Sequence, residues 1–179
     1  MVDPSAFRYQ PFYCEENVYH LSAEPIVAAR PRDVVFISNP TRSTAMWNQR
    51  AAGRPNQPMV WDYHVVLLVA DPWEFWDLDT FLGCPVPAAD YLAGSFAARV
   101  PIRFRPLFRL VDAALFAGTF ASDRTHMVRR GRYERPPPSW PCIGVPDREP
   151  NLMRFADMTD PFLGEILDLA ALQARVTAG

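Results

Sequence analysis

The strongest structural signal in the chain is the block MVWDYHVVLLVA over residues 59–70, which is rich in β-branched and aromatic side chains. Such a block is typical of a buried β-strand, and Asp71 and Pro72 directly after it predict a turn. The residues EFWDLD at 74–79 then indicate a return strand. Any fold for this chain must therefore accommodate a hairpin that belongs to an antiparallel sheet.

Weaker patterns on both sides of this hairpin predict a mixed α and β chain. Strands are expected at 34–38, 103–112 and in the first part of 164–177, which closes with a helix. Further helices are expected at 14–22, 42–51, 88–98, 112–126 and 151–158. Segment 128–150, with five arginines and three consecutive prolines, is expected to be long and irregular. Together these predict one α+β domain over residues 1–179, built on an antiparallel sheet.

Composition and charge argue against several classes of protein. The formal net charge of −2 disfavours a general nucleic-acid binder. No apolar run is long enough to cross a bilayer. The first residues, MVDPSAFRYQ, do not form a signal peptide, so we expect a cytoplasmic protein. Three widely spaced cysteines without a CxxC pair predict neither a disulfide framework nor a metal site, and no cofactor is expected.

Cys14 is the first candidate for chemistry because it stands at the start of a predicted helix. Glu15 and Glu16 occupy the first turn, where negative charge suits the helix dipole. A helix N-terminus can lower the pKa of a thiol and so favour a reactive thiolate. The alternative is a small buried apolar cysteine, which is the commoner fate of a lone cysteine. Cys14 alone favours that alternative.

His64 lies in the middle of the strongest predicted strand. By the two-residue period, one face of that strand carries Val60, Asp62, His64, Val66 and Leu68. A charged and a titratable side chain on an otherwise apolar face are costly unless they are paired or needed. A core histidine that donates to a backbone carbonyl explains the pattern equally well.

The return strand supplies two carboxylates, Asp77 and Asp79, on one face. A hairpin centred between residues 70 and 71 places Asp77 opposite His64, whereas a centre one residue later places Asp79 there. Either register sets a carboxylate across from the imidazole, where it can fix the tautomer and stabilise the charged form. Solvated acids near a turn are the alternative. A helix-start thiol, a histidine and a carboxylate together favour a cysteine hydrolase.

Several motifs, in order along residues 9–155, resemble the protein N-terminal glutamine amidohydrolase family. They are YCEEN at 13–17, FISN at 36–39, WDYHVVLL at 61–68, DLDT at 77–80, FASDR at 120–124, HM at 126–127, PPP at 136–138 and PCI at 141–143. The resemblance implies an α-β-α sandwich of the papain- or transglutaminase-like kind. It also implies a triad of Cys14, His64 and Asp77, with Asp77 preferred over Asp79.

The resemblance further implies the reaction, in which an N-terminal glutamine becomes glutamate and ammonia leaves. In eukaryotes such a step creates an N-degron. The expected partners are proteins or peptides with a free N-terminal glutamine, without nucleic acid or membrane, and the chain is expected to be a monomer. The same triad would also suit a protease, an acyl transferase or a deamidase of internal glutamine. A catalytically dead peptide-binding module is the alternative outside the enzymes.

A free α-ammonium group requires an acidic or carbonyl-rich subsite. The candidates for contact with substrate are Glu15, Trp61, Asp62, Asp79, Ser122 and Asp123. Each acid also has a structural alternative. Glu15 could be a charge that suits the helix dipole, and Asp62 could form a strand hydrogen bond. Asp79 could stabilise a turn, and Asp123 could act as a cap near Ser122. His20 and His126 are not expected to be catalytic. The arginine-rich segment 124–135 could attract an acidic partner, although a solvated loop is favoured.

Overall fold

A computed structural model of the protein describes residues 6–178. The strands are β1 (Arg32–Ser38), β2 (Thr44–Trp47), β3 (Pro58–Trp61), β4 (His64–Val69), β5 (Glu74–Trp76), β6 (Val86–Pro87), β7 (Leu107–Asp112), β8 (Val128–Arg129), β9 (Arg132–Tyr133) and β10 (Glu165–Asp168). The helices are α1 (Cys14–Leu21), α2 (Pro25–Ala28), α3 (Ala88–Ser95), α4 (Ala113–Thr119), α5 (Leu152–Ala156) and α6 (Leu169–Thr177).

Six strands form one antiparallel sheet in the order β10-β7-β1-β4-β5-β6. Strand β1 lies near its centre and is apolar on both faces, because successive side chains point in opposite directions. Val34 and Phe36 pack on one side with α1, α4 and α5. Val35 and Ile37 pack on the other side with α3 and α6. Helices therefore cover both faces of the sheet, and the mixed α+β class expected from the sequence is confirmed.

The apolar block at 59–70 is not one continuous strand, contrary to the prediction. It breaks between β3 and β4, and β3 pairs with β2 outside the main sheet. At the break the Asp62 side chain accepts the backbone N–H of Tyr63 at 2.9 Å, so a local hydrogen bond replaces a ladder bond. Val60 is consequently 54% exposed while His64 is 1% exposed. The predicted shared face therefore does not extend across the break to Val60 and Asp62, although Val66 and Leu68 do share one core.

The helix predicted at 42–51 is also wrong, because this segment forms β2 and then a short 3₁₀ turn, Arg50–Ala52. Thr41 does not cap a helix, since its hydroxyl donates to the Asn39 side chain at 2.9 Å. Met46 belongs to strand β2, and its side chain is completely buried. Strand pairing with β3 thus overrides the local signal that favoured a helix.

The other predicted elements are present with shifted ends. Helices α1, α3 and α5 and the final strand and helix are confirmed, whereas α4 stops at Thr119, well short of 126. Segment 128–150 is mostly irregular as expected, but it opens with the β8–β9 hairpin. Among residues 6–178 the helices are too short to cross a bilayer.

Arg109 ties the sheet to the segment after α5. This residue of β7 is 1% exposed. Its guanidinium donates to the backbone carbonyls of Phe155 and Leu163 at 3.0 Å, and to those of Asp157 and Asp160 at 2.7 Å. A fixed fork of five N–H donors suits these four carbonyls, of which Phe155 belongs to α5 and the other three to the irregular residues after it. This buried cation therefore organises a segment that lacks a regular backbone ladder.

We expect Arg109→Met to lower the free energy of unfolding by about 3 kcal/mol, since it leaves several buried carbonyls without a donor. Urea unfolding followed by tryptophan fluorescence measures the change. Arg175→Met is the matched control, because Arg175 forms a partly exposed ion pair with Glu165, and its loss should stay below about 1 kcal/mol. Similar small losses for the two variants would contradict this role of Arg109.

Candidate active site

A cavity of about 550 Å³ lies where the start of α1, the break between β3 and β4, and the 3₁₀ turn Thr125–Met127 meet. It is lined by Phe12, Cys14, Arg42, Trp61, Asp62, Tyr63, His64, Asp79, Thr125, His126, Met127, Arg129, Glu134, Arg135 and Met153. Segments far apart in the chain thus contribute a thiol, an imidazole, carboxylates and guanidinium groups to one space. A concave site with converging titratable groups is the usual setting for catalysis.

Cys14 is the first residue of α1, as the sequence predicts, and it is 8% exposed. The helix start by itself would lower the pKa of this thiol, but other groups around it act in the opposite direction. Burial raises the pKa of Cys14 well above its usual range, and the Glu15 and Asp79 carboxylates add to the effect. The Glu15 carboxylate lies 3.7 Å from the sulfur atom. Burial and nearby negative charge therefore favour the protonated form of the Cys14 thiol.

His64 begins β4 and is paired with Asp77. Its Nε2 lies 3.1 Å from Asp77 Oδ1, and both side chains are 1% exposed. Burial alone would lower the pKa of His64, but the Asp77 carboxylate outweighs it and raises that pKa. Burial would likewise raise the pKa of Asp77, and the facing imidazole lowers it. The second ring nitrogen, Nδ1, has no hydrogen-bond partner within residues 6–178.

The contact with Asp77 does not follow from the backbone register. Strands β4 and β5 pair Leu67 with Trp76 and Val69 with Glu74. If this register continued for three more residue pairs, Asp79 would lie opposite His64. Strand β5 ends at Trp76, however, and the chain turns so that the Asp77 side chain reaches the imidazole instead.

Three further groups hold Asp77 in place. The Tyr91 hydroxyl donates to Oδ2 at 2.8 Å and the Gln49 side-chain amide donates to the same oxygen at 3.2 Å. The backbone N–H of Asp79 donates to Oδ1 at 2.9 Å. A buried carboxylate with several donors stays charged and fixed in orientation. Sequence reasoning missed Tyr91 and Gln49, because only the tertiary packing brings α3 and the residues after β2 to this carboxylate.

Three of the predicted substrate contacts line the cavity. The Trp61 ring stacks on the His64 ring, with centroids 5.5 Å apart and planes at 13°. Asp62 is exposed at the corner between β3 and β4. Asp79 lies deeper and accepts the Tyr9 hydroxyl at 2.5 Å. Burial and the neighbouring Asp77 charge raise the pKa of Asp79.

Glu15 is fully buried behind Cys14 rather than in the cavity wall. The Tyr63 hydroxyl donates to its Oε2 at 3.3 Å. Its Oε1 is 3.4 Å from His126 Nε2, and neither atom has a hydrogen-bond partner within residues 6–178. The structure therefore places His126, for which the sequence predicts no catalytic role, in the cavity lining and next to Glu15.

Ser122 and Asp123 do not line the cavity. Asp123 accepts the backbone N–H and the hydroxyl of Thr125 at 3.0 and 2.7 Å. The Ser122 hydroxyl accepts the backbone N–H of Arg124 at 3.4 Å. Both side chains thus stabilise the turn before Thr125, a residue of the cavity lining. For Asp123 this is the capping role given above as its structural alternative. Their contact with substrate stays a prediction.

A buried ion pair fixes the helix that carries Cys14. Glu16 is fully buried and receives two hydrogen bonds from the Arg124 guanidinium, at 2.8 and 2.7 Å. The Trp140 indole N–H donates to the same carboxylate at 2.7 Å. The bidentate geometry and the third donor offset the desolvation of both charges. This contact orients α1 against the segment that supplies His126.

Within residues 6–178 no group of three or more His, Cys, Asp or Glu side chains has the arrangement of a metal site.

Comparison with known proteins identifies the family. The chain matches the family model described as N-terminal glutamine amidase over residues 9–176. It is 38% identical over 167 aligned positions to the protein N-terminal glutamine amidohydrolase of Bos taurus, covering 87% of this chain and 79% of that protein. The Homo sapiens protein of the same name is 36% identical over 184 positions, covering 90% and 88%. The Arabidopsis thaliana protein is 32% identical over 192 positions, covering 98% and 86%. The resemblance seen in the motifs is thus confirmed, and the chain belongs to the N-terminal glutamine amidase family.

Proposed function

We propose that this protein hydrolyses the side-chain amide of a glutamine at the N-terminus of proteins or peptides, giving glutamate and ammonia. The observation that carries the proposal is the opening of Cys14 and His64 into one cavity, with Asp77 hydrogen bonded to the far side of the imidazole. Membership of the family and the names of its relatives support the substrate.

The first half-reaction forms a thioester. His64 Nδ1, the nitrogen that Asp77 leaves free, removes the Cys14 proton, and the resulting thiolate attacks the side-chain amide carbon. Backbone N–H groups at the start of α1 stabilise the resulting oxyanion. The imidazolium then donates its proton to the amide nitrogen, the carbon–nitrogen bond breaks, and ammonia leaves.

The second half-reaction returns the enzyme to its starting state. His64 removes a proton from a water molecule that attacks the thioester carbon. The carbon–sulfur bond breaks, glutamate remains at the peptide N-terminus, and Cys14 recovers its proton. Asp77 orients His64 and stabilises its charged form in both half-reactions.

The order of these residues along the chain supports a relation to the papain- and transglutaminase-like hydrolases. The nucleophile comes early, on a helix, and the histidine and carboxylate follow on or beside strands, as in the papain pattern. We further propose a cytoplasmic monomer whose only macromolecular partner is the substrate chain.

Asp79 is the proposed acceptor for the α-ammonium group of the substrate. Its carboxylate lines the same cavity as Cys14 and His64, and it is more enclosed than Asp62. A cation beside Asp79 would offset part of the negative charge that raises the pKa of Cys14. The substrate would thereby help to activate the thiol that attacks it.

The activity is tested by ammonia release from a short peptide that begins with glutamine. We expect release from the free peptide, and neither from its N-acetylated form nor from a peptide that begins with asparagine. Cys14→Ala should reduce the rate by more than about 10³-fold. Cys142→Ala is the matched control and should keep the rate, because Cys142 is outside the cavity. Release from the acetylated peptide would indicate a broader deamidase, and no release would contradict the proposal.

We expect Asp77→Asn to reduce kcat by about 10³-fold, because the amide cannot hold the charged imidazole in place.

In the unaltered protein kcat/KM should rise with pH through an apparent pKa above the ordinary histidine value of about 6.5. Below that pKa His64 is protonated and cannot accept the thiol proton. Removing the Asp77 charge should move this acid limb to lower pH. Asp90→Asn changes an exposed carboxylate and is the control; a near-normal rate for Asp77→Asn would exclude its assigned role.

We expect Asp79→Asn to raise KM for the free N-terminal glutamine peptide by about tenfold, since it removes the proposed partner of the ammonium group. Steady-state kinetics with the Asp90→Asn protein alongside measures the change. An unchanged KM would assign the amine contact to another group.

A further inference from the structure

Four exposed arginines stand close together in the chain, and two of them, Arg129 and Arg135, line the cavity. The β8–β9 hairpin and the two residues that follow it carry Arg129, Arg130, Arg132 and Arg135, with Glu134 as the only acid among them. All five side chains belong to exposed residues. We call the four arginines the arginine rim. Their charge contrasts with that of the whole chain, which has a formal net charge of −2.

The arginine rim is largely without counter-charge. Arg129 lies 3.5 Å from Glu134, and these side chains are 66% and 49% exposed. Within residues 6–178 no carboxylate oxygen lies within 4.0 Å of the other three guanidinium groups. Arg129 and Arg132 are moreover direct cross-strand partners. Like charges opposite each other destabilise a hairpin, so packing gives no reason for this arrangement.

Part of this positive charge faces the catalytic cavity. Arg129 and Arg135 line it together with Cys14. The Arg135 guanidinium lies 4.2 Å from the centroid of the Phe12 ring, and Phe12 also lines the cavity. Arg42, on the same wall, donates to the Met153 sulfur at 2.9 Å. Neither aromatic ring nor thioether cancels a positive charge, so these guanidinium groups stay available to anions.

The cavity therefore brings both signs of charge together. The Glu15 carboxylate lies 3.7 Å from the Cys14 sulfur and Asp79 also raises the pKa of that thiol, whereas Arg42, Arg129 and Arg135 line the same cavity, with the exposed acids Asp62 and Glu134 among them. Under the proposed function, a peptide that enters with its N-terminal glutamine at Cys14 places its ammonium group at Asp79. Because Arg129 and Arg135 line the same cavity, a path for the following residues past the arginine rim is part of the inference, and an extended chain reaches about 3.3–3.6 Å further with each residue. Acidic side chains in those residues would meet the uncompensated arginines.

We propose that the arginine rim selects substrates whose residues soon after the N-terminal glutamine are acidic. This inference rests on the proposed function, because it assigns a preference to the same site. Guanidinium groups bind carboxylates in a bidentate manner, and a positive cleft also raises the rate of encounter with an anionic chain. The preference is thus expected in kcat/KM and should weaken as salt screens the charges.

Three peptides test the inference with the unaltered protein. Each begins Gln-Gly and continues with three aspartates, three serines or three lysines. At about 20 mM salt we expect kcat/KM for the acidic peptide to exceed that for the basic peptide by about tenfold, and at about 500 mM the difference should nearly vanish. Equal values for the three peptides at low salt would overturn the inference. Turnover of the serine peptide still tests the proposed function separately, because its failure would mean that no activity is present.

Reversing the charge of two arginines tests whether the arginine rim causes the preference for acidic peptides. In the double variant Arg129→Glu and Arg132→Glu, the ratio of kcat/KM for acidic over basic peptide should fall below one. A ratio taken within one protein sample is unaffected by a change in the folded fraction. Arg99→Glu is the matched control, since Arg99 is exposed and outside the cavity lining, and its ratio should match the unaltered protein. An unchanged ratio in the double variant would overturn the inference. Binding of the β8–β9 hairpin to RNA or to anionic vesicles, without a preference for the acidic peptide, would also overturn it.

Discussion

The pairing of β1 with β4 is the constraint on which the rest of the structure depends. These neighbours lie inside the sheet, and their apolar side chains fill both cores. The last pair of this ladder joins Ile37 to His64, so the imidazole stands where the regular strand begins. Burial on both faces makes a slip by one residue very costly, because it would exchange every side chain between the cores. The position of His64 is therefore as rigid as the sheet.

Buried charges then connect this sheet to the surrounding segments. Glu16 holds α1 through Arg124, and Asp77 holds His64 while accepting from Tyr91. Each of these charges would be costly alone, and each has a near-complete set of hydrogen bonds. Ionic networks of this kind give a site a defined geometry, whereas apolar packing alone tolerates small shifts. The positions of the Cys14 thiol, the His64 imidazole and the Asp77 carboxylate thus depend on hydrogen bonds and ion pairs between charged groups.

The charges of the cavity connect the two proposals. Burial and the Glu15 and Asp79 carboxylates raise the pKa of Cys14. Under the proposed function, an ammonium group bound at Asp79 would offset part of that effect. Arg129 and Arg135 of the arginine rim add charge of the opposite sign to the lining of the same cavity. Under the proposals above, these charges would position the chain end and favour acidic residues behind it.

The sequence by itself determined the mixed fold class, the start of α1 at Cys14, the strand that carries His64 and, through its motifs, the family. These depend on local apolar patterns and on short residue runs, which need no distant partner. Only the tertiary structure decided that the block at 59–70 breaks at Asp62, how Asp77, which the motifs imply, reaches His64 against the backbone register, and that burial raises the pKa of the Cys14 thiol. Each of these outcomes depends on burial and on groups distant in sequence, among them Tyr91 and Gln49. The energies of hydrogen bonds and charges depend on the distances and solvent exposure that folding creates, and a linear pattern does not contain them.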